Sequence, residues 1–212
     1  MKEKKPSFNL EINLSVNNQI IAGVDEVGRG CLAGPIVAAA VVFSDYEKVI
    51  QKLLEVNDSK KITENKRIEL DLLIRKTALS YGIGQISVES INKIGIGAAN
   101  VLAFKTALDN LKNRCNIALI DGRRFRGFTY QYICLEKGES KSLSIAAASI
   151  IAKVYRDNLM CEESKKYPAY GFDSNKGYCC KKHLDALKTV GPSPIHRKDF
   201  LKFLSNDQGS LF

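Results

Sequence analysis

Nowhere in the 212-residue chain does an apolar run approach the roughly 20 residues that a helix needs to cross a bilayer, so no membrane partner is expected. The basic head Met1–Lys5 leads into no apolar stretch of the signal-peptide kind. Six cysteines, at 31, 115, 134, 161, 179 and 180, include no Cys-x-x-Cys pair, which argues against a disulfide framework. Reduced thiols in a cytoplasmic protein are the expectation. Histidine is scarce too. Cys179, Cys180, His183 and His196 could be drawn around zinc, but their uneven spacing speaks against such a site. No Gly-Lys-Ser/Thr ending follows the glycine-rich stretch, which weakens a nucleotide-phosphate cradle. No linker-like segment divides the chain.

What is present is a core-forming composition with a basic surface. Hydrophobic residues make up 45% of the chain, the formal charge is +9 and the pI is near 9.2, so polyanions, nucleic acid foremost, will be attracted to it. Charge of this kind carries no sequence preference. Ile20 to Phe43 reads as strand, loop, strand, with two adjacent acids inside the apolar run: Gly23-Val24-Asp25-Glu26-Val27-Gly28-Arg29-Gly30. Burying a carboxylate without a partner costs several kcal/mol or keeps it protonated. Three readings of the pair stand open: a satisfied ion pair at a strand end, the phosphate cradle, and a divalent-metal site of hard carboxylate oxygens. Adjacent strand residues point to opposite faces, so one shared ion requires a bend or a bridging pose.

The rest of the chain alternates helix and strand. Residues 1–18 read as a loosely docked lead-in. Helical spacing predicts a short helix over 46–55 and an amphipathic one over 64–79, whose apolar side is Ile68, Leu72, Leu73 and Leu79. Between them lies the polar loop Asn57-Asp58-Ser59-Lys60-Lys61, with Thr63 as a cap of the next helix. Residues 80–88 alternate as a strand with glycines and room for a bulge. Residues 91–111 continue as helix from the second glycine, burying Ala98, Val101, Leu102, Phe104, Leu108 and Leu111. Asn116 to Ile120 is a short apolar strand stopping at Asp121-Gly122, and ligand groups collect beyond the carboxyl ends of such strands. A strand-end aspartate is equally an ordinary turn residue. Residues 127–135 alternate as a further strand. Residues 144–167 form an alanine-rich helix, on which Lys153, Arg156 and Asp157 are a turn apart and Asp157 reads as a supporting acid. An aromatic and glycine-rich loop, 167–180, precedes a last short helix over 181–190 and a docking patch of Phe200, Leu201, Phe203 and Leu204.

The stretch around Asp25 and Glu26 resembles the signature of the bacterial type 2 ribonucleases H, the ribonuclease HII family. Further segments follow in that family's order: Asn57 to Lys61, Asp121-Gly122, Ser144 to Val154 with Arg156-Asp157, Lys176-Gly177-Tyr178, and Gly191 to Arg197. The resemblance spans roughly residues 20–200 and implies an α/β fold: a ribonuclease H-like mixed sheet flanked by helices, with a helical C-terminal extension over about 142–205, all in one domain from residue 19 to 212. It implies a metal-dependent endoribonuclease that cuts the RNA strand of RNA/DNA hybrids and incises 5′ to single ribonucleotides in duplex DNA. The implied metal ligands and catalytic residues are Asp25, Glu26, Asp121 and Glu139, holding two Mn²⁺ or Mg²⁺ ions. Gly28, Arg29, Gly30, Ser59, Lys60, Lys153 and Tyr178 are implied to bind substrate, Tyr178 against the deoxyribose beside the ribonucleotide. A monomer is expected. Glu139 stands where the family usually has aspartate, and Asn175, Cys179 and Cys180 depart from the family pattern around the tyrosine. The alternative from another class is a non-catalytic basic nucleic-acid-binding module.

Overall fold

The computed structural model describes residues 5–202. Its frame is a five-stranded sheet of β1 (Ile21–Val27), β2 (Ile36–Val42), β3 (Ser80–Ile86), β4 (Ile117–Asp121) and β5 (Tyr132–Leu135). The spatial order is β3-β2-β1-β4-β5. The first three strands pair antiparallel, whereas β4 lies parallel to β1 and β5 parallel to β4. Around the sheet stand α1 (Asn9–Leu14), α2 (Tyr46–Lys52), α3 (Glu64–Thr77), α4 (Val88–Asp109), α5 (Leu143–Lys166), α6 (Phe172–Asn175) and α7 (Lys181–Val190).

β2 is apolar without interruption because both of its faces are covered. Val37, Ala39 and Val41 join a core with α5, α3 and α2, while Ile36, Ala38, Ala40 and Val42 join a second core with α4. The alanine-rich face of α5 lies so close to β1 that a Cβ on Gly23 would sit 2.1 Å from the Ser144 carbonyl carbon. On the other face, Cβ atoms at Gly82 and Gly84 would each come within 2.2 Å of an α4 carbonyl oxygen. Those two glycines admit the helix, and β3 pairs with β2 in continuous register without a bulge. A third cluster joins Leu32 and Ala33 to Met160, Tyr170, Phe172 and Leu187, docking the C-terminal helices onto the loop that follows β1.

Four local expectations are corrected. The lead-in is held firmly where it is described: Phe8 is buried in the core, and Glu11, fully buried, caps α5. Its Oε1 accepts from the Ser142 hydroxyl at 2.6 Å and the Ser144 amide at 3.1 Å, placing a carboxylate at a helix N-terminus. α3 buries Leu70, Asp71 and Ile74, leaving Ile68 and Leu72 exposed, because Asp71 is paired by Arg75 at 2.9 Å and can go inside. α4 is broken at Gly95, and it buries Ala99, Ala103 and Ala107 while Ala98 and Leu102 face out. Of the strand expected over 127–135 only β5 forms, since Phe128 and Tyr130 pack with Phe125 and Tyr132 in an aromatic cluster instead of pairing. Phe200 and Leu201 pack against the third cluster, and the expected partners Phe203 and Leu204 lie outside the described residues.

Replacing Glu11 by alanine should lower unfolding free energy by about 2–3 kcal/mol, because buried donors at the start of α5 lose their acceptor. Urea denaturation of the two proteins measures it, and an unchanged midpoint would contradict the cap.

Candidate active site

The acids lie where two parallel strands end. Asp25 and Glu26 lie within the last three residues of β1, and Asp121 is the last residue of β4. β1 stays regular to its end, with Glu26 opposite Ala38 and Val27 opposite Val37, so there is no bend and the bridging pose is the alternative left. Asp25 and Glu26 therefore point to opposite faces. Both nonetheless line one cavity of about 520 Å³ at the end of the sheet, together with Asp121. Gly28, Arg29, Gly30, Ser59, Lys60, Lys153 and Tyr178 line it as well. Glu139 does not. It sits on the tight turn Gly138–Ser140 in a neighbouring cleft, from which its charge acts on the Asp121 carboxyl while its own Oε2 is buried without a partner.

Burial dominates the electrostatics. The carboxyl of Asp25, 7% exposed, is pushed well above the usual carboxylate range by desolvation and then by the charges of Glu26 and Asp121. Glu26 is raised to about 7, first by desolvation and further by Asp121, against the opposing pull of the Arg29 guanidinium 4.0 Å away. Asp121 is raised to about 6 by desolvation and by Glu139, although the Gly138 amide donates to its Oδ1 at 2.5 Å. Among the described residues, no three histidine, cysteine or acidic side chains converge closely enough to close around an ion. The donor set still suits a hard divalent cation: three carboxylates at one cavity, each raised in pKa, and a fourth with an orphaned buried oxygen.

The loop after β1 is shaped from behind. Gly28 has φ +87°, and a Cβ there would lie 2.1 Å from Arg156 Nε. Arg156, fully buried, donates to the carbonyls of Pro35, Lys176 and Ala33 at 2.9, 2.8 and 3.0 Å. Arg197, also fully buried, donates to the Gly34 and Arg29 carbonyls at 2.8–3.0 Å. Opposite, Asn175 closes the tyrosine loop by donating to the Tyr170 carbonyl at 2.7 Å and accepting from the Gly177 amide at 2.8 Å. Lys153 is ion-paired to Asp157 at 2.8 Å and stands 5.7 Å from the centre of the Tyr178 ring. Cys179, Cys180, His183 and His196 form no metal cluster; the two histidine rings bond each other, and Cys179 is exposed.

Three contributors were missed from sequence. Ser149 bonds Ser59 at 2.9 Å and lines the cavity beside Asp25, whose raised pKa it offsets; its signal was a hydroxyl set in an alanine run. Arg156 and Arg197 act as anchors of loop carbonyls, a role without any local sequence signal.

The family model described as Ribonuclease HII matches residues 22–203. The chain belongs to the ribonuclease HII family. A ribonuclease HII of Clostridium botulinum (strain Loch Maree / Type A3) is 49% identical over 185 residues, covering 87% of this chain and 69% of that protein. The ribonuclease H2 structure from Pyrococcus horikoshii OT3 superposes with a TM-score of 0.71 at 27% identity, covering 85% of this chain and 93% of that one. The ribonuclease HII chain solved with PCNA from Archaeoglobus fulgidus gives a TM-score of 0.71 at 26% identity, covering 84% and 93%. As a ribonuclease HII family member the protein is a metal-dependent endoribonuclease of the ribonuclease H type, and the family acts on RNA/DNA hybrids. That removes the non-catalytic binding module as a reading. No helix among the described residues is long and apolar enough to cross a membrane.

The raised pKa values give stability a definite pH dependence. Without metal, Glu26 keeps its proton up to about pH 7 in the folded chain but only to about 4.5 when unfolded. Its contribution is full below the lower value and lost as pH rises through the upper one, and Asp121 follows the same direction up to about 6. Thermal unfolding in chelator should therefore show falling stability across this window, and Asp121→Asn should melt above the wild type at about pH 8. Rising stability across the window would contradict the buried acids.

Proposed function

We propose that this enzyme, besides cutting hybrids, incises duplex DNA 5′ to a single embedded ribonucleotide, leaving 3′-hydroxyl and 5′-phosphate ends. It acts as a monomeric, single-domain cytoplasmic protein. One observation carries the reading: a single cavity is lined by three acids, Asp25 buried and Glu26 and Asp121 half-buried, with the Gly28–Gly30 loop, two lysines and a tyrosine, all from one chain. Asp25, Glu26, Asp121 and Glu139 would hold two Mg²⁺ or Mn²⁺ ions, which supply an activated water and a stabilised leaving oxygen for in-line displacement at phosphorus.

The protein's own groups bind and orient. Lys60, exposed at the cavity rim, and Arg29, whose side chain is 63% exposed, meet the phosphates on either side of the cut. The 2′-hydroxyl is the group that separates RNA from DNA, and it is read by backbone at Gly28–Gly30. Gly30 supports this directly: a Cβ there would meet nothing of the protein, so its small size serves whatever approaches from outside. Tyr178, 39% exposed, offers its ring to the neighbouring deoxyribose. The extra methylene of Glu139 is accommodated because its turn lies outside the cavity and the carboxyl reaches inward to Asp121.

Cleavage of a labelled DNA duplex carrying one ribonucleotide tests the reading. Metal-dependent incision 5′ to it is expected, falling on the order of a hundredfold or more in Asp121→Asn. Binding without incision under Mg²⁺ and Mn²⁺ would overturn it. The two glycines separate fold from substrate contact. Gly30→Ala should leave thermal stability unchanged yet lower activity on the order of 10- to 100-fold. Gly28→Ala should cost about 1–3 kcal/mol of stability, because its φ and the Arg156 contact are both violated.

A further inference from the structure

The two histidines of the chain lie outside the catalytic cavity, and both are buried. His183, on α7, and His196, in the segment after it, meet Nε2 to Nε2 at 2.9 Å. Each remaining ring nitrogen is also engaged. His196 Nδ1 accepts from the Ser193 amide at 2.9 Å, with the Ser193 hydroxyl 2.8 Å from the same atom. His183 Nδ1 lies 2.9 Å from the Tyr178 carbonyl oxygen.

Both ends of this row fix the protons between them. An amide N–H can only donate, so His196 Nδ1 is bare and its proton is on Nε2. A carbonyl can only accept, so His183 carries its proton on Nδ1, leaving Nε2 bare to receive the His196 proton. The row runs one way, from Ser193 through His196 and His183 to Tyr178. A second proton on either ring would confront another donor. Desolvation accordingly holds both imidazoles below their ordinary value, His196 at about 4, so the pair stays neutral.

The row ends on the residue whose ring faces the cavity. The cations of Lys153 and Arg156 stand 5.7 and 5.8 Å from the Tyr178 ring centre, and burial pushes its hydroxyl up to about 12. Its amide donates to the Asn175 carbonyl at 2.9 Å. The His183 bond is the contact that ties the tyrosine backbone to α7. Around the pair, Tyr170 lies 4.8 Å from the His196 ring and Phe172 5.3 Å from the His183 ring, which denies either histidine a second orientation.

We infer that His183 and His196 are positioning residues for Tyr178: their one-way hydrogen-bonded row holds the tyrosine backbone at the height from which its ring reads the deoxyribose beside a ribonucleotide. This rests on the reading of Tyr178 given above. The pair touches no substrate. Its effect is on the choice between a single ribonucleotide, where a deoxyribose must be read, and a continuous RNA strand, where none is present.

The test compares kcat/KM, split into kcat and KM, on a single-ribonucleotide duplex and on a continuous RNA/DNA hybrid. His183→Leu should lower the single-ribonucleotide to hybrid ratio roughly three- to tenfold, the range that loss of one hydrogen bond carries. His183→Asn, whose amide can occupy the place of Nδ1 and donate to the Tyr178 carbonyl, should restore most of that ratio. In a Tyr178→Ala background, His183→Leu should change the ratio no further. Equal losses on both substrates, persisting in that background, would overturn the inference by making the pair purely structural. A ratio altered by Tyr178→Ala but not by His183→Leu would overturn it alone, whereas a ratio unmoved by Tyr178→Ala would overturn the tyrosine reading with it. Should His183→Leu fail to fold, His196→Asn keeps an acceptor for Ser193 but is too short to reach His183, and the same ratio decides.

Discussion

Two guanidinium groups with no access to water hold the active-site loop in shape. Among the described residues Arg156 and Arg197 find no carboxylate; their donors are spent on backbone carbonyls of residues 29, 33, 34, 35 and 176. Burying a cation is tolerable only when its donors are satisfied, so the loop must present those carbonyls inward. That demand dictates the turn at Gly28, where φ is +87° and no side chain fits over Arg156. It also binds the loop after β1 to the tyrosine loop and to the C-terminal segment, which are far apart in the chain. Desolvation first, and then repulsion from Arg156, lower even Arg197 to about 10, a measure of how costly the arrangement is.

The acids form the complementary constraint. A regular β1 presents Asp25 and Glu26 to opposite faces, and such a pair can serve one site only at the end of a strand, where a cavity borders both faces. The parallel neighbour β4 ends beside it and contributes Asp121. The turn that follows β5 bonds Asp121 through the Gly138 amide and brings Glu139 against it. Repulsion among these carboxylates is unresolved in the chain itself, which is the physical reason a divalent cation belongs there. α1 contributes at a distance: by capping α5 through Glu11, it fixes the start of the helix that carries Ser149, Lys153 and Arg156.

Much of this was legible in advance. The strand-loop-strand unit, the strand stopping at Asp121, and the helices over 46–52, 64–77, 143–166 and 181–190 follow periodicity and propensity closely. Ten of the eleven residues expected at the site line one cavity, and Glu139 contacts it through Asp121. The misreadings share a cause. On α3 the period was right and the face wrong, because Asp71 could be buried once Arg75 paired it. Phe128 and Tyr130 alternate as a strand would, but the edge-on contacts of Phe128 with Phe125 and Tyr132, and the tilted contact of Tyr130 with Phe128, outweighed pairing. The lead-in looked polar, yet Phe8 and Glu11 each had a partner more than a hundred residues away or in the distant core.

Sequence by itself determined the kind of chemistry and the local elements, since carboxylates, glycines and apolar period are properties of neighbours along the chain. It also carried the family, through motifs spread from residue 22 to 203. Tertiary structure alone decided what faces what: which side of α3 is buried, how two arginines shape the loop, that Glu139 approaches from the neighbouring cleft, and that two histidines join behind Tyr178. Those outcomes depend on partners distant in sequence, whose pairing energies exist only once the sheet has brought them together.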